Sequence, residues 1–286
     1  MDIQMKKRSG VETTVLNESG NVAYLQYLKL NEYPWLVNAF STRKGGVSKG
    51  QYAEMNLSFT VGDDPEIVKE NYRIFGEAIG VSREQMVFAA QTHTNNVMRV
   101  DSSKKGMGVL LDRDFENIDG LVTNEPGLCL VGSYADCVPL YFVDPVKKCI
   151  GLSHSGWRGT VSKIGRNTID LMQREFGTDP ADIVCCIGPC ICGDCYEVSS
   201  DVMEEFWSSY KSDQFEKICK PVVGKKDKYL IDLAVTNYLQ FEDCGVKPEN
   251  IVMPGLCTAC NKELIHSHRA TGGKRGGNCA FLMIKG

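Results

Sequence analysis

Apolar residues recur along this chain in two rhythms. In DPEIVKENYRIFGEAIG, residues Ile67, Val68, Tyr72, Phe75 and Ile79 fall on one helical stripe, with Asp64 as N-cap and Pro65 at the first helical position. With Gly80 as the stop, the stretch predicts a helix. GTVSKIGRNTIDLMQREFG predicts a second helix ending at Gly177, and SSDVMEEFWSSY and DLAVTNYLQFEDCG predict a third and a fourth. The other rhythm is shorter. QMVFAAQ, VMRVD, LCLVGSY, VPLYFVD, KCIGLSH, DIVCCIG and NCAFLMI are β-branched or aromatic runs bounded by Gly, Pro, Asp and Asn, and they predict seven strands. Between 128 and 154 no room is left for helices, so part of the sheet must be antiparallel. The fold class expected is therefore mixed α/β (α+β), a partly antiparallel sheet with flanking helices. No repeat, low-complexity tract or Pro/Gly/Ser-rich linker interrupts the pattern, which predicts a single domain over residues 1–286 whose first ten residues fray.

The hairpin formed by VPLYFVD and KCIGLSH brings in the first chemistry. Pro145 presets φ for a turn, and a two-residue loop of Pro145 and Val146 would pair residues whose numbers sum to 291. Cys137 and His154 then face each other, with Cβ atoms roughly 4.5–5.5 Å apart, close enough to share one metal ion. Since Pro145 suits a type I turn and tight hairpins prefer primed turns, a bulge could shift that register by one. His93, at the end of another apolar run in AAQTHTNNV, is available as a third ligand. A His2Cys set leaves one zinc position open, as catalytic sites do. The separations match no short finger motif, so the residues alone leave open three separately satisfied core residues.

Composition narrows the class of function. A chain of 286 residues with 43% hydrophobic content can bury a sizeable core. Its net charge of -4, with Lys6 to Arg8 as the only basic run, argues against nucleic acid and anionic membranes and for small-molecule ligands. The start MDIQMKKRSGVETT shows no apolar core of a secretory signal, and no run reaches the ~18 apolar residues of a membrane span, so a cytoplasmic protein is expected. Thirteen cysteines in that compartment are expected to be reduced. Cys190, Cys192 and Cys195 in PCICGDC with Cys257 and Cys260 in CTAC offer a rival metal site, against which stands the reading of five reduced thiols in two loops.

Beyond these residues, FSTRKGGVS, QTH, DGLVTN, ADCVPLYFVDP, HSGWRGT, IGPCI, CYEV, CTAC and SHRATGG occur in an order and at intervals that resemble the multi-copper polyphenol oxidase, or laccase-domain, family. That family is also described as purine nucleoside phosphorylases with adenosine deaminase activity. The resemblance runs from about Phe40 to the C-terminus. It implies that His93, Cys137 and His154 bind zinc, with copper as an alternative. It further implies phosphorolysis of adenosine, inosine and 5'-methylthioadenosine, and hydrolysis of adenosine to inosine and ammonia. A true multicopper oxidase needs many more His ligands than the four of this chain.

Phosphorolysis requires cations for phosphate or the leaving purine, and Arg43 in STRKGG and Arg158 in GWRG are proposed for this, against structural ion pairing. In SHRATGG, His268 and Arg269 match the family segment, making Arg269 a further phosphate candidate. An arginine usual in that segment falls here at Gly277, with Arg275 nearby. Gln91 and Asp136 are expected to fix an imidazole N–H or orient the metal's water, with ordinary strand-end bonds as the alternative. Trp157 could stack a purine or wall the core. His266 is expected not to be a ligand. Two rival functions are a thiol hydrolase or deamidase with Cys137 as nucleophile and His154 as base, and a redox-responsive binding protein using the cysteine-rich loops.

Overall fold

The strand runs are too apolar for one face to be wet, and the arrangement of layers explains why. The computed structural model describes residues 5–8 and 12–286. One six-stranded sheet has the spatial order β1 (Thr14–Ser19), β2 (Val22–Tyr27), β3 (Leu36–Ser41), β15 (Asn278–Ile284), β7 (Cys129–Tyr134), β4 (Met86–Phe88). The other runs β14 (Ile251–Val252), β10 (Val184–Ile187), β8 (Val138–Asp144), β9 (Cys149–Ser155), β6 (Gly120–Thr123), β5 (Val97–Arg99). A small third sheet holds β11 (Glu197–Ser199), β13 (Lys228–Ile231) and β12 (Cys219–Pro221). Both large sheets are mixed, with β4 parallel to β7, β5 parallel to β6 and the central pairs antiparallel.

The two large sheets pack face to face. From β15, Ala280, Leu282 and Ile284 meet Tyr141 and Val143 of β8 in a shared core, while Cys279, Phe281 and Met283 turn to the opposite face. That outer face is covered by α2 (Pro65–Ile79) through Val68, Tyr72 and Phe75. On β8, Val138, Leu140 and Phe142 turn outward to α4 (Ile164–Phe176) and α7 (Leu233–Asp243). These two central strands therefore alternate between two apolar layers, which is why their sequences show no polar face. The remaining helices are α1 (Leu28–Asn31), α3 (Trp157–Val161), α5 (Ser200–Ser209), α6 (Ser212–Ile218) and α8 (His268–Thr271). Among the described residues no helix is long and apolar enough to cross a membrane.

Helix α2 has the caps the sequence predicts: Asp64 accepts from the Glu66 N–H, and Gly80 closes in the left-handed region at φ 73°. The helix expected to run without interruption to Gly177 is broken. Lys163 takes φ 62°, separating α3 from α4, and Ser162 bonds the Arg158 carbonyl through both N–H and hydroxyl. Of the first ten residues, where fraying is expected, 5–8 lie against the fold: Arg8 bonds the Gly255 carbonyl and pairs with Asp232 at 2.8 Å. The other six lie outside the described residues.

The β8–β9 hairpin corrects the expected register. Asp144 pairs with Cys149 and Pro139 with His154, so the loop has four residues, 145–148, and the pair sum is 293. Asp144 Oδ1 accepts from the N–H groups of Val146 and Lys147, and Lys148 takes φ 50°, an Asx-type turn that a two-residue loop could not hold. A slip of two keeps the face. A slip of one would have exchanged Val138, Leu140 and Phe142 with Tyr141 and Val143, and each buried apolar side chain is worth about 1.5–3 kcal/mol.

Candidate active site

Because parity is preserved, Cys137, just ahead of β8, and His154, near the end of β9, still converge. With His93 they form a group whose ligand atoms all lie within 4.8 Å of one another. His154 is buried, Cys137 half-buried and His93 exposed. His93 sits at φ 64° and Asp136 at φ 92°, left-handed conformations that side-chain-bearing residues adopt only when their surroundings impose them.

For His93 the imposing group is Asp119, which precedes β6. Its carboxylate accepts from three successive backbone N–H groups, of Thr92 (3.0 Å), His93 (3.1 Å) and Thr94 (2.8 Å), and from the Thr94 hydroxyl. Its Oδ1 also receives the Nδ1 proton of His154 at 2.8 Å, and its carbonyl the His154 N–H at 2.7 Å. Burial pushes the Asp119 carboxyl up, but the bonds from His154, Thr94 and Thr92 outweigh it and hold it at about 2. Asp119 is thus an acceptor, His154 Nδ1 must carry a proton, and in the neutral imidazole, the form a metal selects, His154 Nε2 has the lone pair that ligation needs. Burial, with His154 second, pushes the His93 imidazole below its ordinary value. Burial also pulls His154 down, but Cys137 and Asp119 together lift it to about 9.

Gly156 explains the small residues around His154. A Cβ there would stand 2.6 Å from His93 Nδ1 and 3.2 Å from Cys137 Sγ. The three donors close over a bare backbone.

The group opens on a cleft of about 640 Å³, within the range of small-molecule sites and lined by Phe59, Phe88, Tyr134, Arg113 and Arg275 among others. None of the three arginines expected to hold phosphate lines this cleft, although Arg158 lies within electrostatic range of His93. Arg43 gives its guanidinium to the carbonyls of Ala53 (3.1 and 3.0 Å) and Lys262 (2.7 Å). Arg158 is exposed, with its guanidinium 4.3 Å over the Trp157 ring, and Trp157 packs against the outer core. Arg269 lies 5.3 Å over the Tyr196 ring and donates to the Cys195 carbonyl. The cleft instead has Arg113, held by the Phe88 carbonyl, and Arg275, whose Nε is buried without a hydrogen-bond partner among the described residues.

Gln91 exchanges bonds with the backbone of Ser133 (3.0 and 2.7 Å), anchoring the chain two residues before His93. Asp136 bonds no imidazole. Its carboxylate accepts from the Thr258 hydroxyl (2.5 Å) and the Arg269 N–H (2.6 Å), tying the turn before Cys137 to the C-terminal segments. His266 lies apart from the group, buried, with Nδ1 accepting from the Gly276 N–H. Sequence reasoning missed Asp119 and the place of Arg275. The first stands in the quoted DGLVTN, where an acidic residue directly before a buried strand was the available signal.

Fold and site together define a mixed α/β protein with an imidazole and thiol donor group at a cleft. A family model described as multi-copper polyphenol oxidoreductase laccase matches residues 37–285, and the chain belongs to that family. It is 34% identical to purine nucleoside phosphorylase YlmD of Bacillus subtilis (strain 168), over 87% of this chain and 89% of that protein. It is 32% identical to adenosine deaminase RL5 of an unknown prokaryotic organism, over 82% and 89%. The crystal structure of hypothetical protein YfiH of Bacillus licheniformis superposes with a TM-score of 0.88 at 30% identity, covering 94% of this chain and 99% of that one.

Proposed function

We propose that this chain is a zinc-dependent purine nucleoside enzyme of the cytoplasm, acting as one domain over residues 1–286. It would convert adenosine, inosine and 5'-methylthioadenosine with phosphate to the free base and the (methylthio)ribose 1-phosphate, and hydrolyse adenosine to inosine and ammonia. One observation carries this reading: two imidazoles and a thiol converge within 4.8 Å on the wall of a nucleoside-sized cleft that also holds the half-buried guanidinium of Arg275. The names of the relatives support the substrate class.

The donor set fits a single zinc ion. Nitrogen and sulfur ligands suit it, Asp119 fixes the tautomer of His154, and three protein donors leave one position for chemistry. Copper is the alternative ion. When bound, zinc acts as a Lewis acid and lowers the pKa of water in that position. Arg275 would hold phosphate or the departing purine anion, and its unpartnered Nε gives it capacity for a charged hydrogen bond. Phe59 and Phe88 offer ring faces for the purine.

A second reading has its own support. His154 hydrogen-bonds Cys137 on one side and Asp119 on the other, the order of nucleophile, base and orienting acid in a thiol hydrolase or deamidase. One assay separates the readings: adenosine with and without phosphate, following adenine, ribose 1-phosphate, inosine and hypoxanthine together with metal content. The expected result is adenine only with phosphate, inosine without it, and loss of both with the ion in Cys137→Ser. Metal-free protein whose turnover is blocked by alkylation of Cys137 would establish the thiol enzyme instead. Copper-dependent oxidation of a polyphenol without nucleoside turnover would favour the oxidase.

A further inference from the structure

We propose that Cys192, Cys195, Cys257 and Cys260 form a second, structural metal site, a four-thiolate zinc site that clamps two loops behind the turn carrying Cys137. The sequence supplies two Cys-x-x-Cys pairs, CGDC and CTAC, with Tyr196 to Leu256 between them. Folding brings all four Sγ atoms within 4.8 Å of one another. A tetrahedral zinc with bonds of ~2.3 Å sets its sulfurs roughly 3.8 Å apart, so one ion spans this group after small side-chain movements. Cys190, the fifth candidate in these loops, is not in the group. Its side chain is fully buried in the outer apolar core.

The backbone is arranged as such a site needs. The Cys192 N–H donates to Cys257 Sγ at 3.3 Å, and the N–H groups of Cys195 and Tyr196 both return to the Cys192 carbonyl at 3.0 Å, closing a tight turn around the first pair. An isolated parallel bridge between Cys190 and Cys257, with the Thr258 N–H on the Cys190 carbonyl at 3.1 Å, sets the two loops side by side. Gly193 is required in the turn, since a Cβ would meet the side chain of Asp232 at 2.9 Å. Cys192 and Cys257 are buried, Cys195 is half-buried and Cys260 exposed, so the ion has one entry path.

Charge points the same way. Four thiols binding one zinc dication release four protons to solvent, keep their electron pairs in the S–Zn bonds and leave a net charge of minus two, with no oxidation. Arg8 lies in electrostatic range of Cys190 and Cys192, and beyond its pair with Asp232 its Nη1 is buried without a hydrogen-bond partner among the described residues. A buried guanidinium nitrogen in range of a neutral Cys192 thiol is poorly compensated, and in range of Cys192 as part of a dianionic cluster it is balanced.

The clamp would act on the turn before Cys137. Asp136, at φ 92°, receives the Ile191 N–H on its carbonyl and the Thr258 hydroxyl on its carboxylate, from segments directly beside the two cysteine pairs. Arg269, which donates its N–H to the same carboxylate, also bonds the Cys195 carbonyl. The inference does not rest on the proposed catalytic reading.

The test is metal stoichiometry on the full chain, reconstituted with zinc under reducing conditions. The expected content is two zinc ions per chain, falling to one in Cys195→Ser/Cys260→Ser and to one in His93→Ala. Cobalt in place of zinc in His93→Ala should show the intense thiolate-to-metal absorption of a four-sulfur site. Should the cysteine variant fail to fold, the wild-type protein decides: a mercurial thiol reagent should release the second zinc to an indicator dye only as four thiols are consumed. Wild-type protein with one zinc that His93→Ala removes entirely would overturn the proposal, as would mass spectrometry showing Cys195 and Cys260 joined as a disulfide under those conditions. Failure of the catalytic reading gives a different pattern, with one zinc lost only in the cysteine variant.

Discussion

The two sulfur-bearing clusters are built on opposite principles. His93, Cys137 and His154 come from three separate segments and are mixed in chemistry, and the group is exposed at His93 on the wall of a cleft. The four cysteines come as two local pairs, are uniform in chemistry, and are linked to one another by the Cys192 N–H on Cys257 Sγ and the Cys195 N–H on the Cys192 carbonyl. The first is held by a buried carboxylate and left-handed residues, the second by turn geometry. Three donors leave a metal position open for a reacting molecule; four soft donors close it. An open site needs outside support to keep its ligands in place, and Asp119 supplies that support.

The largest effect should come from removing a donor of the open group. His154→Ala is expected to bring both nucleoside reactions to background and to cost one zinc equivalent, with the four-cysteine ion retained. Loss of all metal from that variant would show that the clusters are not independent. Asp119→Asn should follow, with a fall of about 10–100-fold in metal affinity or turnover, because the amide keeps one acceptor oxygen and its NH2 must face either the His154 and His93 donors or the Thr92 and Thr94 donors. Gly156→Ala should act through space: the added Cβ, 2.6 Å from His93 Nδ1, displaces the imidazole, so zinc binding weakens at the open group alone. Unchanged zinc affinity in that variant would mean that His93 is not a ligand.

What the sequence disclosed follows the same divide. Local features were legible: the Asp64 and Gly80 caps of α2, the seven apolar strand runs, and the Cys-x-x-Cys pairs. Strands β1 to β3, β6 and β11 to β14 went unread, the first three because TVLNES, VAYLQY and LVNAFS mix polar residues such as Asn17, Gln26 and Asn38 among apolar ones. Those residues bond across the sheet, Asn17 to Gln26 and Gln26 to the Asn38 carbonyl. The triad was reached with a hairpin register wrong by two, because side-chain parity survives an even slip. The arginines illustrate the limit. A guanidinium near a motif in sequence can be spent on carbonyls, as Arg43 is, and only packing puts Arg275 in the cleft.

That contrast gives a smaller, more selective prediction. Arg275→Lys keeps the charge and loses the planar fork, so the KM for phosphate in phosphorolysis should rise about tenfold or more while deamination and zinc content change little. Arg43→Lys should lower thermal stability by loosening the carbonyls of Ala53 and Lys262, with phosphate dependence unchanged. Reversal of the two outcomes would move the phosphate site from the cleft to the loop that Arg43 supports.

The smallest effect concerns an imidazole in neither cluster. His266 is buried beside Met55, and burial, with Arg43 and Arg275 nearby, pushes its pKa down to about 3. In the unfolded chain it returns to its ordinary ~6.5, so below that pH the unfolded state binds the extra proton and stability falls on acidification, until the folded group titrates as well. Between pH 7.5 and 6 this one residue should remove about 1 kcal/mol. His266→Phe leaves the Gly276 N–H without its acceptor and should lower stability at every pH, but its loss across that interval should be smaller than the wild type's by the same amount. Urea midpoints of holoprotein at the two pH values read the difference, and subtracting wild type from variant cancels the titration of both thiol-containing clusters. Parallel losses in the two proteins would mean that His266 is already protonated in the fold, which would place an acceptor rather than a donor against its Nδ1.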